Sequence, residues 1–70
     1  MFAANLRRLR HARSMSQDTL ALEAKVSRSY LSQVEKGVYY ASLKVIGRLA
    51  VALNADPAEL LAMPKKAKRS

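Results

Sequence analysis

The chain has 70 residues, with 13 Lys and Arg against 5 Asp and Glu, a net charge of +8, and no cysteine. That length suits one domain, near the lower end of what folds without metal or disulfides, and the missing thiols exclude both a cystine framework and a thiolate metal site. The charge points to a polyanionic partner, whether nucleic acid, an anionic membrane surface or an acidic protein, and does not choose among them.

Half of the residues are apolar, so a packed core is feasible. No charged start leads into a long apolar stretch. The longest nearly apolar run, 45–53, is interrupted by Arg48 and is too short to cross a bilayer. Neither a signal peptide nor a membrane span is expected, and a reducing bacterial cytoplasm suits the composition.

Phe2, Leu6, Leu9 and Arg13 recur at helical spacing and predict a first helix over 2–13. Ser14 and Met15 make the turn. Ser16 is a good N-cap, and Asp18 places negative charge in the first turn of a second helix over 17–24, which buries Leu20 and Ala21. Ser27 caps a third helix over 28–36 with Leu31 and Val34 inward, and Gly37 supplies a left-handed stop. After a loop over 38–41, Ser42 caps a fourth helix ending near Leu53. Leu43, Ile46, Ala50 and Leu53 are expected to cover the core, while Val45, Leu49, Val51 and Ala52 extend the apolar surface beyond one stripe.

Asp56, Pro57 and Glu59 provide the cap, first-position proline and reciprocal glutamate of a short fifth helix, stopped by Pro64. The prediction is an all-α, five-helix domain over 1–64, followed by a basic flexible tail over 65–70 that orders only on a polyanion. The tail KKAKRS has three readings: a nonspecific DNA anchor, a partner-binding segment, or a solubilising end.

The run over 17–36, QDTLALEAKVSRSYLSQVEK, meets the requirements of a helix-turn-helix. Two helices crossing at close range need a small residue between them, and Ala21 suits. Leu20, Val26, Leu31 and Val34 face inward. The outer face of the second helix must stay polar to reach base edges in a major groove, and Arg28, Ser29, Ser32 and Gln33 fall there. Arginine can grip guanine and glutamine can grip adenine through two hydrogen bonds each; serine discriminates poorly.

Over 6–61 the chain resembles the phage repressor and Cro-like (XRE) family. The resemblance rests on the joint spacing of LRRLR, SQ, VSRSYLSQVEKG, SL and DPAELL. It implies the phage-repressor-like fold and a sequence-specific DNA-binding transcriptional regulator. Under it, Arg28, Ser29 and Gln33 face bases, with Ser32 next; Gln17 holds a phosphate and braces the reading helix. Ser27, Lys36, Tyr39, Tyr40 and Ser42 line the DNA backbone, and Arg10 and Glu35 form an ion pair between helices one and three. The chain departs from the pattern in having Lys25 where the turn usually holds glycine, Ala41 where a proline often precedes helix four, and Gly47 inside helix four.

A helix apolar nearly all round is usually buried on more than one side. The second side of helix four is expected to meet another subunit through Val45, Leu49 and Ala52, joined by Leu60, Leu61 and Met63; the alternative is that the N-terminal helix folds over it. A two-fold dimer sets its reading helices about one DNA turn apart and implies a roughly palindromic operator. Only the short tail follows helix five, so no ligand-sensing domain, small-molecule ligand or cofactor is expected, and control falls to the chain's own concentration. Small free-standing members of the family include restriction–modification controller proteins, autoregulatory repressors and antitoxins. The first two fit best, since an antitoxin would need a toxin-binding segment that only the tail could provide.

Plainer readings stand beside these. Tyr39 and Tyr40 either touch the DNA backbone or pack against the domain or a partner. Arg7, Arg8 and Arg13 read as a solvated face, and Glu23 and Glu59 as surface or capping residues. His11 is the one histidine, with no imidazole or thiolate to share a metal. A protein-binding adaptor would keep the fold without the basic and amide side chains of helix three. A cationic membrane-surface peptide would not need caps and a glycine stop. An enzyme is not expected: the chain has no nucleophile with a plausible base and no glycine-rich phosphate loop.

Overall fold

Each helix begins on a side chain able to accept a backbone N–H, or on apolar spacing that has an obvious core face. In the computed structural model, which describes residues 2–62, the elements are α1 (Phe2–Ala12), α2 (Gln17–Ala24), α3 (Arg28–Glu35), α4 (Leu43–Ala52) and α5 (Pro57–Leu61), with no strand among the described residues. Ser16, Ser27 and Ser42 have extended backbones, and their hydroxyls accept from Thr19 N at 3.0 Å, Tyr30 N at 3.0 Å and Val45 N at 3.2 Å. Asp56 and Glu59 close a capping box on α5, the Asp56 N–H donating to Glu59 Oε2 at 3.1 Å. Each such cap contributes about 1 kcal/mol by satisfying a donor that the helix itself cannot.

The helix ends follow one design. Ser14, Lys25, Gly37 and Asn54 all have positive φ, at 56°, 62°, 81° and 54°. In each case the following residue donates back across the last turn: Met15 N to Arg10 O, Val26 N to Ala21 O, Val38 N to Gln33 O and Ala55 N to Ala50 O, at 2.9–3.1 Å. These are Schellman closures, with an apolar residue after each left-handed one. Lys25, at the turn position where the family usually holds glycine, is left-handed, and Ser14 and Asn54 adopt the same conformation, which glycine adopts without strain.

One core joins the five helices. Leu6, Leu9, Leu20, Ala21, Ala24, Leu31, Val34, Ile46, Leu49, Ala50, Leu53 and Leu60 are buried, with Phe2, Met15, Val26 and Tyr30 packed around them. α2 lies between α3 and α4, while α1 packs on α3 and α5.

Two expectations for α4 and α5 need correction. Leu43 is 83% exposed, and its expected core place is taken by Leu49, which is 1% exposed. Leu49 and Leu60 therefore lie inside the protomer and cannot supply contact area to a second subunit. Of the other expected interface residues, Val45 and Ala52 are half-buried and Leu61 is exposed, whereas Met63 lies outside the described residues, as do Pro64 and the tail. The exposed apolar residues of α4 are Leu43 and Val51.

Candidate nucleic-acid interface

Helix α3 is held from behind by one buried carboxylate. Glu35, in its last turn, receives Arg10 Nε at 2.7 Å on one oxygen and Arg10 Nη2 at 3.0 Å on the other. Gln17 Nε2 donates to Glu35 Oε1 at 3.0 Å, so the first residue of α2 also ties to this carboxylate. Burial pushes the Glu35 pKa up, but the Arg10 and Gln17 hydrogen bonds, helped by the charges of Arg10 and His11, hold it below its ordinary value. Arg10 completes its set by donating Nη1 to Met15 O at 2.9 Å.

Three further arginines donate to helix-end carbonyls. Arg7 donates to Glu35 O at the end of α3, Arg48 Nε donates to Ala24 O at the end of α2 at 2.9 Å, and Arg13 Nε donates to Leu53 O after α4 at 2.8 Å. Cations belong at helix C-termini, where unpaired carbonyls and the helix dipole place negative potential. Asn5 does the same for α5, its Nδ2 donating to Leu60 O and Ala62 O at 2.9 Å each. Arg7 and Arg13 are exposed, as the solvated-face reading expects, and each in addition bonds the end of another helix. Arg8 remains exposed, 3.4 Å from Asn5 Oδ1.

The front of α3 is open. Arg28, Ser29, Ser32 and Gln33 line one shallow depression on its outer face. Arg28 is the first helical residue, and its Nε lies 3.4 Å from Asp18 Oδ1 across the turn, with 61% of the arginine side chain and 74% of the aspartate side chain exposed.

Around this strip, Ser27 and Ser42 use a hydroxyl oxygen as an N-cap acceptor, which leaves each O–H proton to point elsewhere. Lys36 is exposed at the end of α3. Tyr39 stacks on Tyr30, centroids 6.2 Å apart, and Tyr40 is almost wholly exposed. The geometry offers charged and amide donors along one open strip of α3. Among the described residues no group of His, Cys, Asp and Glu side chains could hold a metal.

The architecture and this strip define a small helix-turn-helix protein. The helix-turn-helix domain family model matches residues 1–63, and the chain belongs to that family, as a phage repressor-like (XRE) transcriptional regulator and not an enzyme.

Over 62 residues it is 37% identical to control protein C.BamHI of Bacillus amyloliquefaciens, covering 87% of this chain and 76% of that protein. The restriction–modification controller protein C.AhdI from Aeromonas hydrophila is 46% identical, with a TM-score of 0.82 over 84% of this chain and 89% of its own. The hypothetical transcription factor NHTF from Neisseria superposes with a TM-score of 0.86 at 32% identity, over 94% and 76% of the two chains. The clp gene regulator ClgR from C. glutamicum gives a TM-score of 0.82 at 32% identity, over 86% and 78%.

Proposed function

We propose that the chain is a homodimeric bacterial regulator, active in the cytoplasm, that places α3 of each protomer in successive major grooves of a roughly palindromic operator. A controller of restriction–modification genes, acting at its own promoter, is the specific role favoured by the likeness to C.BamHI and C.AhdI. The observation that carries the reading is the grouping of Arg28, Ser29, Ser32 and Gln33 in one open depression on a braced helix. In this role Arg28 and Gln33 make the discriminating contacts, to guanine and adenine, while the two serines adapt to their neighbours. Gln17, Ser27, Lys36, Tyr39, Tyr40 and Ser42 hold the flanking phosphates and set the register. Val45, Ala52 and Leu61, extended by exposed Leu43 and Val51, provide the apolar surface for the second protomer.

The test is a titration of labelled duplex from the chain's own upstream region against scrambled duplex at two salt concentrations. Tight, sequence-dependent binding with a log–log salt slope of about −0.9 per neutralised phosphate is expected. Equal affinity for both duplexes would refute sequence reading. Sedimentation of the wild type and Leu61→Asp tests the dimer: a wild type that sediments as a monomer at all concentrations contradicts it.

A further inference from the structure

Asp18 is an odd residue to find on a surface that meets a polyanion. The other four acidic residues are accounted for: Glu35 is buried with Arg10, Asp56 and Glu59 cap α5, and Glu23 lines the groove between α2 and α4. Asp18 alone stands beside the reading edge, and it does so against Arg28 Nε. Its simplest role is to favour the N-terminus of α2 through the helix dipole. That role, however, places no demand on Arg28.

We infer that Asp18 is a specificity-determining residue that holds Arg28 for base reading. The inference rests on the reading of α3 proposed above. A guanidinium is planar, and its outer edge carries two terminal nitrogens suited to the O6 and N7 acceptors of guanine. With the Asp18 carboxylate 3.4 Å from Nε, the ion pair biases where the guanidinium lies and leaves that outer edge for the groove. The same negative charge makes the neighbourhood less favourable for a phosphate, the competing acceptor that any exposed arginine would take. Asp18 thus exchanges some general affinity for discrimination, as a repulsive element does in selective interfaces. The pair is exposed in the free protein, where it adds little to stability. In a groove that excludes water its effect is larger.

The experiment measures affinity of wild type, Asp18→Asn, Arg28→Ala and the double variant for three duplexes. These are the preferred site, that site with the Arg28-dependent base pair exchanged, and a scrambled sequence; thermal unfolding of each protein is the control. Asp18→Asn is expected to reduce discrimination at that base pair by about two- to fivefold, the value of an exposed ion pair, and to raise affinity for the scrambled duplex. In the Arg28→Ala background, Asp18→Asn should no longer affect discrimination. The inference is overturned if Asp18→Asn leaves discrimination unchanged, or if its effect persists without Arg28. A wild type without sequence preference would instead overturn the reading of α3 itself, so the two failures are distinguishable.

Discussion

On α1, Arg7, Arg10 and Arg13 reach acceptors of the protein itself, whereas Arg28 at the start of α3 keeps its guanidinium largely in solvent beside Asp18. The residue type is the same and the surroundings differ. The α1 guanidiniums meet a buried carboxylate or the orphan carbonyls of a helix end, which cannot be left unpaired without cost. Arg28 meets only an exposed carboxylate, a pairing weak enough to rearrange. The contrast separates a fixed frame from an adaptable edge.

The sharpest way to break the frame is at its hub. Glu35→Ala leaves Arg10 buried without its partner and is expected to lower unfolding free energy by about 3–5 kcal/mol in urea titrations. A loss near zero would show that the buried pair is not a hub. Because the folded pKa of Glu35 lies below its unfolded value, its contribution is present above the unfolded value and fades as pH falls through the folded one. Urea midpoints from about pH 7 to about pH 3 should therefore fall, and less steeply in Glu35→Gln.

Arg28→Ala and Gln33→Ala should give the opposite pattern. Stability should stay within about 0.5 kcal/mol, while each variant loses about 1–3 kcal/mol of discrimination at one base pair. If either variant instead weakened all duplexes equally, that side chain would be a backbone contact.

Smaller effects sharpen the same division. Lys25→Gly should raise the melting temperature, since glycine removes roughly 1 kcal/mol of left-handed strain; a lowered melting temperature would contradict the turn. Gly47→Ala should stabilise by a similar amount, about 1 kcal/mol, because an added Cβ meets nothing within 4 Å. Arg13→Ala should cost about 1 kcal/mol through the lost bonds at the end of α4, with base preference untouched in the duplex titration.

What the sequence made legible was local. Caps at Ser16, Ser27, Ser42 and Asp56, the stop at Gly37 and the spacing of Leu20, Leu31 and Val34 each depend on neighbours within a turn or two. The outward grouping of Arg28, Ser29, Ser32 and Gln33 follows from the same helical geometry. The phase of α4 was harder. A helix apolar nearly all round gives no contrast between faces, so Leu43 and Leu49 could be exchanged between core and surface. Arginine closure of helix ends was also hidden, because Arg13 and Leu53 are brought together only by the tertiary fold. Asp18 had a sufficient local explanation at the start of α2, which concealed its position against Arg28. The signal for the arginine closures is a surplus of arginines over carboxylates on a chain whose Schellman closures still leave the last helix carbonyls free.

The carboxylate of Glu35 draws together side chains from α1 and α2 on the helix that carries it. Ordering of α3 is consequently completed when the polypeptide folds, not on association with a target. Association with a target should then show little heat-capacity change from coupled folding of these three segments, and the conformational entropy lost on docking should be confined to surface side chains.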